Sequence, residues 1–204
     1  GVLRIGGSGG DDKGMILIGQ YDSPFVRRVA IALRLYGRIF EHRPWSTFGD
    51  ADRLAAYNPL RRVPTLVCDD GTVLIESSCI LDWLDEQAGD AALLPRAGEA
   101  RRAQLHVCAL GQGLAEKSVA LLYERVLHEQ TSDVWTMRCR AQILDTLALL
   151  ETLRAASGGD YWFGAAMGPH RRDAVGRGGV VQKQHQHMAW PGLSGLGHRV
   201  QRQH

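Results

Sequence analysis

The sequence predicts an α/β domain with a mixed four-stranded sheet, followed by an all-α helical domain. Short apolar runs alternate with amphipathic stretches over residues 15–88, a pattern typical of strands joined by helices. Residues 89–98 are rich in alanine, glycine and proline, a composition that favours a linker. Between residues 99 and 165 the apolar residues recur at helical spacing, and they predict long amphipathic helices.

A β-α-β unit opens the predicted α/β domain. Residues 15–19 are a short apolar run that ends in glycine, and they predict a buried strand. Ser23 and Pro24 follow, a capping residue and the residue preferred at the first helical position, and apolar residues then recur at helical spacing up to Tyr36. Residues 39–45 are predicted to form the second strand. The helical crossover implies that these two strands are parallel.

A β-hairpin and a helix complete the predicted α/β domain. Residues 64–68 and 72–75 resemble strands and flank an Asp-Asp-Gly sequence, which predicts a tight turn between antiparallel strands. Ser77 and Ser78 are candidate caps of a helix that runs to Gln87. One parallel pair and one antiparallel pair together predict the mixed sheet.

Two long amphipathic segments make up the predicted helical domain. Apolar residues recur at helical spacing through residues 101–129 and again through residues 134–156. We therefore expect two helices that pack as antiparallel neighbours. The sequence holds no run of about 18 apolar residues, and it predicts neither a membrane-spanning helix nor a membrane partner.

The two ends of the chain differ in composition from the part between them. Residues 1–14 hold six glycines and predict a linker-like leader. Residues 166–204 carry six basic residues and one acid, Asp173, with seven glycines and five histidines, and they predict an irregular basic tail. The net charge of +2 comes from this tail. The mildly acidic body gives little electrostatic support for a nucleic-acid partner.

Cysteine and histidine spacing gives no sign of a metal site. Four widely spaced cysteines stand among apolar residues: Cys68, Cys79, Cys108 and Cys139. Because no Cys-x-x-Cys pair occurs, we expect each to pack as a small apolar side chain in a reducing compartment, the cytoplasm. His185 and His187 in the tail have no cysteine or acid near them in the sequence, so we expect no metal.

Three short motifs place polar groups where a small peptide-like ligand can be held. Ser23 stands at a helix start, where unpaired N–H groups and the helix dipole stabilise an anion such as a thiolate. A cis Val63-Pro64 bond would expose the Val63 backbone to an extended peptide. Glu76 and Ser77 start another helix and can hold the ammonium and carboxylate of an amino acid. Taken alone, each motif is better explained by an ordinary cap or a proline at a strand start.

The ordered combination of these motifs resembles the glutathione transferase family. The matching segments are Ser23-Pro24-Phe25-Val26-Arg27-Arg28-Val29, Asn58-Pro59, Val63-Pro64-Thr65-Leu66 and Glu76-Ser77-Ser78. The Ser-Pro-Phe start is similar to that of the serine-type classes, such as tau, and of their bacterial relatives. The resemblance covers residues 15–164. It implies a thioredoxin-like N-terminal domain, a helical C-terminal domain and a cytoplasmic detoxification enzyme.

The resemblance also implies a role for each of the candidate residues. Ser23 would hydrogen-bond and activate the thiolate of glutathione, the co-substrate. Val63, before a cis Pro64, would pair with the cysteinyl backbone of glutathione, and Glu76 and Ser77 would hold its γ-glutamyl end. The thiolate would then attack an electrophilic carbon or a peroxide. This chemistry requires a thiol pKa of about 8.5 to be lowered towards neutrality.

Two outer residues and the partners follow from the same resemblance. Arg62, or another basic residue nearby, would meet the glycyl carboxylate of glutathione. Tyr123 on the first long helix would line the site for a small hydrophobic electrophile, although core packing better explains a lone tyrosine. A homodimer is expected of the family.

The chain departs from the family pattern after residue 164. Family members usually continue with a capping box that starts a buried helix, whereas His170 occupies the cap position here and an Arg-Gly-Gly sequence follows. We therefore hypothesise that the reading frame shifts near Ala166, which would leave the helical domain incomplete. A non-catalytic glutathione-transferase-like binding protein and an inactive shifted member remain alternatives to the enzyme. A thiol–disulfide oxidoreductase is disfavoured because Ser23 cannot form a mixed disulfide.

Overall fold

Four short strands form a mixed sheet in the computed structural model, which describes residues 14–163. Strand β1 (Met15–Ile18) pairs in parallel with the edge strand β2 (Phe40–Arg43). On its other side β1 pairs antiparallel with β3 (Thr65–Val67), which in turn forms a hairpin with β4 (Val73–Ile75). The order β2-β1-β3-β4 confirms the mixed four-stranded sheet that the sequence predicts.

Three helices accompany the sheet. Helix α1 (Pro24–Leu35) joins the two parallel strands. Helix α2 (Ala51–Ala55) lies in the connection from β2 to β3. Helix α3 (Ser77–Ala88) follows β4 and continues into a 3-10 turn at Gly89–Ala91. This succession of strands and helices is the thioredoxin-like arrangement expected of the first domain.

Apolar side chains on the two faces of the sheet form separate clusters. The cluster that includes α1 and α3 contains these fully buried residues: Leu17, Val26, Val29, Leu33, Leu66 and Ile80. The second cluster combines Leu54 of α2 with Ile18, Val67 and Val73. Successive residues of a strand point to opposite faces, so Leu17 and Ile18 enter different clusters. Burial of each large apolar side chain contributes about 1.5–3 kcal/mol.

The helical part of the described chain is a helix pair with little core of its own. Helices α4 (Gly98–Leu127) and α5 (Asp133–Ala156) pack against each other and confirm the two predicted helices. Within this pair only Glu124 and Cys139 are buried. Several large apolar side chains are more than half exposed: Leu122, Val126, Leu127, Val134, Met137 and Leu144.

Hydrogen bonds connect the α/β region to the segment that leads into α4. The Tyr36 hydroxyl donates to the carboxylate of Asp85 on α3, and the Leu93 amide donates to both groups, at 2.8 and 3.1 Å. Burial, together with the hydrogen bond to Asp85, raises the pKa of Tyr36, so the hydroxyl keeps its proton. Arg101 near the start of α4 forms an ion pair of 3.0 Å with Asp82 on α3.

The start of α3 differs from the sequence prediction. The cap is Glu76, whose carboxylate accepts a hydrogen bond from the Ser78 amide, and neither serine caps the helix. The hydroxyl of Ser77 donates to Glu76, and that of Ser78 donates to Gln112 on α4. The adjacent Glu76 and the distant Gln112 therefore engage the two hydroxyls that a local capping rule would have used.

Two of the four cysteines are buried and two are exposed. Cys68 and Cys139 are buried as predicted, but the prediction is wrong for Cys79 and Cys108, which lie on the solvent-facing sides of α3 and α4. Burial raises the pKa of the Cys68 thiol to about 11, with help from the two aspartates that follow it. Over residues 14–163, no cluster of histidine, cysteine and acidic side chains is arranged to hold a metal ion.

Several predictions concern the ends and the boundaries of domains. The predicted tail, 166–204, and the frame shift hypothesised near Ala166 lie outside the described residues, as does the leader apart from Gly14. The domain boundaries at residues 88 and 98 remain predictions; α3 ends at the first and α4 begins at the second. None of the described helices is long and apolar enough to cross a membrane.

Candidate functional site

Ser23 caps α1 just beyond the end of β1. Its backbone is extended (φ −66°, ψ 121°), and its hydroxyl oxygen accepts a hydrogen bond from the Val26 amide at 3.4 Å. Because the oxygen acts as the acceptor, the hydroxyl proton is available to a ligand. The N–H groups of the first turn and the helix dipole favour negative charge at this position. Ser23 can therefore stabilise an anion.

The loop that carries Ser23 touches the loop that precedes β3. Gly19 has a φ of +133°, which side-chain-bearing residues rarely adopt. A Cβ added to Gly19 would lie 2.5 Å from the Val26 side chain and 2.7 Å from Val63, so only glycine permits this approach. The Val63-Pro64 peptide bond is cis, as the family resemblance implies. Ser23 and Val63 are thus brought to one end of the sheet.

A buried asparagine holds the loop before β3. The Asn58 side chain, in a residue that is 1% exposed, donates to the Arg62 carbonyl at 2.9 Å and to the Thr65 hydroxyl at 3.3 Å. Its oxygen accepts from the Leu60 amide at 3.0 Å. These bonds hold the backbone before Val63 and the side chain of Thr65 after it. The sequence motif that contains Asn58 predicts no role for it, because its hydrogen-bond partners are set by the fold of the loop.

Glu76 and Ser77 form the turn between β4 and α3. Glu76 has φ 71° and ψ 128°, a sparsely populated conformation that costs a non-glycine residue about 1–3 kcal/mol. Such outliers are concentrated at ligand sites, where the surrounding structure imposes them. The Glu76 residue is exposed, whereas Ser77 is fully buried and donates its hydroxyl to Glu76 Oε1 at 3.1 Å. The turn therefore presents one carboxylate and one oriented hydroxyl.

Arg28 on α1 and Gln112 on α4 converge on this same turn. Arg28 donates to the Ser77 hydroxyl at 3.5 Å and to Gln112 Oε1 at 3.0 Å. The Ser78 hydroxyl donates to the same oxygen at 2.6 Å. The cationic Arg28 and the anionic Glu76 consequently lie at one turn, because both bond to Ser77. Two such groups are what binding both charges of an amino-acid zwitterion requires. Sequence reasoning missed both roles, since only tertiary packing brings Arg28, Gln112 and Ser77 together.

The two outer residues predicted for the site lie in different surroundings. The Arg62 side chain is exposed. Tyr123 on α4 meets Phe48, from the loop between β2 and α2, with ring centroids 5.5 Å apart. Phe48 is 59% exposed and Tyr123 37% exposed, so core packing does not account for either ring. Phe48 was missed from the sequence because an isolated phenylalanine in a polar stretch carries no periodic signal.

The predicted residues therefore fall into an inner and an outer group. Gly19 links the Ser23 loop to Val63, and Arg28, one turn beyond the cap of α1, links that helix to Ser77. Glu76 joins this inner group through its hydrogen bond with Ser77. Tyr123 belongs to a separate aromatic pair with Phe48, and the hydrogen bonds of Arg62 described above involve its carbonyl oxygen.

Comparisons with known proteins agree with this geometry. Residues 17–92 match the glutathione S-transferase N-terminal domain family. The uncharacterized GST-like protein YibF of Escherichia coli K12 is 30% identical over 138 residues, which cover 67% of this chain and 68% of that protein. Glutathione S-transferase U1 of Arabidopsis thaliana is 35% identical over 86 residues, or 42% of this chain and 38% of that protein.

A solved structure shares both sequence and fold with this chain. A glutathione transferase family member from Pseudomonas fluorescens Pf-5, crystallised with bound glutathione, is 34% identical, with a TM-score of 0.62. The match covers 68% of this chain and 70% of that one. This chain thus spans about two thirds of the bacterial relatives and well under half of the plant protein. The segment that matches the family, residues 17–92, contains Ser23, Val63 and Glu76. The chain belongs to the glutathione S-transferase family.

Proposed function

We propose that this protein is a glutathione transferase that joins the sulfur of glutathione to an electrophilic small molecule. The observation that carries the proposal is the position of Ser23 at the cap of α1, with its hydroxyl oxygen bonded to the Val26 amide and its proton available. A thiolate beside this hydroxyl receives one hydrogen bond and lies near the positive end of the helix dipole.

The three parts of glutathione meet complementary groups in the proposed complex. The backbone of Val63 pairs with the cysteinyl unit. The Glu76 carboxylate takes the ammonium of the γ-glutamyl unit. The Ser77 hydroxyl, with Arg28 bonded to it, turns its proton from Glu76 to the α-carboxylate of the ligand. Arg62 meets the glycyl carboxylate. The bound glutathione in the Pseudomonas fluorescens relative supports this choice of ligand.

The chemical step is a nucleophilic substitution or addition by sulfur. The thiol of glutathione releases its proton to solvent, and Ser23 donates a hydrogen bond to the resulting thiolate. Each unit by which the thiol pKa falls corresponds to about 1.36 kcal/mol of preferential thiolate stabilisation. With an aryl chloride, the sulfur forms a C–S bond and chloride leaves with the bonding electron pair. The residues themselves undergo no covalent change.

The outer group completes the proposed enzyme. The exposed rings of Phe48 and Tyr123 provide apolar surface for a hydrophobic electrophile. The family resemblance supports a homodimer. All four thiols in the described residues are free, which supports the reducing cytoplasm as the location. The family resemblance supports detoxification as the role.

The test compares Ser23→Ala with Ser23→Thr, which keeps a hydroxyl at the cap. We expect Ser23→Ala to lower kcat with an activated aryl chloride about 10- to 100-fold, the range of a hydrogen bond to a charged group. Calorimetry should show glutathione affinity within threefold of wild type. Ser23→Thr should keep more activity than Ser23→Ala, and thermal unfolding checks that the lost cap has not unfolded the chain.

The other outcomes separate the two alternative classes from a wrong role for Ser23. Wild-type protein that binds glutathione with no turnover would be the non-catalytic binding protein. Folded protein that binds no glutathione would be an inactive member. Equal turnover by wild type and Ser23→Ala would overturn the role of Ser23 while leaving the transferase itself in place.

A further inference from the structure

The hydrogen-bond ladder between β1 and β2 is interrupted at its end. A side chain there bonds a backbone carbonyl that a backbone amide would bond in a regular ladder. Ile18 lies opposite Arg43, and the Gly19 amide donates to the Arg43 carbonyl at 2.8 Å. The next bond of a regular parallel ladder would run from the Trp45 amide to the Gly19 carbonyl. The Trp45 amide instead turns back onto the Arg43 carbonyl, at 2.8 Å. The Gly19 carbonyl therefore needs another donor.

His42 on β2 is that donor. Its Nε2 lies 2.8 Å from the Gly19 carbonyl oxygen. A carbonyl oxygen only accepts hydrogen bonds, so Nε2 carries the proton and donates whether the ring is neutral or protonated. The His42 ring also stacks on Tyr21, with centroids 4.0 Å apart and planes 10° from parallel. One histidine thus holds two residues of the same loop.

The rest of this loop is held from α1 and from the loop before β3. Arg27 donates to the Tyr21 carbonyl through two nitrogens, at 3.0 and 2.7 Å. Gly19 packs between Val26 and Val63 so closely that a Cβ would collide with both. Residues 19–23 are consequently held at three points. His42 contacts the Gly19 carbonyl and the Tyr21 ring, and Arg27 bonds the Tyr21 carbonyl. The segment ends at Ser23.

We propose that His42 is a positioning residue that sets the Ser23 loop at its distance from Val63. The inference rests on the proposed function, in which Ser23 and the Val63 backbone hold neighbouring parts of one cysteinyl unit. A displacement of about 1 Å at a reacting group can cost a hundredfold in rate. Without the bond to His42, the Gly19 carbonyl turns towards water and the loop shifts away from Val63.

Two matched substitutions separate the hydrogen bond from the stacking. His42→Phe keeps a flat ring over Tyr21 and lacks the N–H donor. His42→Gln keeps an N–H donor and lacks the ring. Both remove the titratable imidazole, so a difference between them cannot come from its charge. His106→Phe, at an exposed position on α4, controls for the general effect of exchanging a histidine for phenylalanine.

The measurements are kcat, the KM for glutathione, the pH midpoint of the rate and amide hydrogen exchange across residues 19–23. We expect His42→Phe to lower kcat about tenfold and raise the pH midpoint by about one unit, an order-of-magnitude equivalent of tenfold less thiolate. The KM for glutathione should stay within threefold, and exchange in the loop should accelerate. His42→Gln and His106→Phe should each stay within threefold of wild type.

Equal behaviour of His42→Phe and His42→Gln would overturn the proposal, since the donor would then be irrelevant. Unchanged hydrogen exchange in His42→Phe would overturn it as well, and so would faster exchange with an unchanged pH midpoint. Failure of the wild type to turn over would instead count against the transferase proposal. The exchange experiment would then still decide whether His42 holds the loop, because it requires no turnover.

Discussion

Phe48 and Tyr123 meet edge to face, with ring centroids 5.5 Å apart and planes at 75°. The contact joins the loop after β2 to α4, and it adds to the polar contacts that Gln112 and Arg101 of α4 make with the α/β region. Both rings retain exposed surface. In edge-to-face geometry the electropositive edge of one ring meets the electronegative face of the other, which is a favourable contact. The exposed surface of the two rings can contact a flat, apolar molecule.

We expect Tyr123→Ala to raise the KM for an aromatic electrophile about three- to tenfold and to leave glutathione affinity unchanged. The reason is the loss of an aromatic contact worth about 0.5–1.5 kcal/mol. Initial rates at saturating glutathione measure this effect. Leu144→Ala, at an exposed position on α5, is the control and should leave the KM unaltered. A similar increase in both variants would argue against a specific electrophile site at Tyr123.

Glu76→Gln should weaken glutathione binding about 10- to 100-fold, because the ammonium of the γ-glutamyl unit loses its charged partner. The glutamine oxygen can still accept from the Ser78 amide, so the cap of α3 and the melting temperature should change little. Calorimetric titration with glutathione measures the effect. Glu86→Gln, exposed on the same helix, is the control. Wild-type affinity in Glu76→Gln would exclude the proposed ammonium contact.

Asn58→Ala should lower the free energy of unfolding by about 1–3 kcal/mol, because the Leu60 amide and the Arg62 carbonyl each lose a partner. For a chain of this size the corresponding decrease in melting temperature is about 2–12 °C. Calorimetry in the absence of glutathione measures it. Leu60→Ala, an exposed position in the same loop, should change stability by less than about 0.5 kcal/mol. Equal stability of the two variants would contradict this role of Asn58.

The turn between α4 and α5 should make stability depend on pH in mild acid. Glu124 accepts from the Ser132 amide at 2.7 Å and lies 3.0 Å from His128 Nδ1. The Ser132 amide, followed by His128, lowers the pKa of Glu124. Because the folded pKa lies below the unfolded value of about 4.3, the carboxylate stabilises the fold above that pH. This contribution disappears as pH falls through the folded pKa.

Glu124→Gln should therefore be less stable than wild type at pH 7, and the difference should shrink as the pH falls from the unfolded pKa of about 4.3 through the lower folded pKa. Melting temperatures measured across this interval provide the comparison. Glu129→Gln, exposed in the same turn, serves as the control and should follow the wild-type curve. A gap between wild type and Glu124→Gln that stays constant with pH would mean that the ionisation of Glu124 contributes nothing.

Local patterns predicted the four strands and the four longer helices of the described residues. The apolar run after Gly14 predicted β1, and the Ser-Pro pair at Ser23 predicted the start of α1, because short buried strands and helix caps are signalled by residues close together in sequence. The same rules misplaced the cap of α3, where a tertiary bond from Ser78 to Gln112 competes with the local one. Capping chemistry is therefore predictable only where no distant group intervenes.

The sequence by itself determined the order of strands and helices, the motifs that resemble glutathione transferases and the placement of Ser23 at a helix start. Only the tertiary structure decided which distant groups meet: His42 with Gly19, Arg28 with Ser77, and Phe48 with Tyr123. The physical reason is the range of the interactions. Capping and amphipathic spacing act within a few residues, whereas these contacts arise when separate elements pack around a shared core.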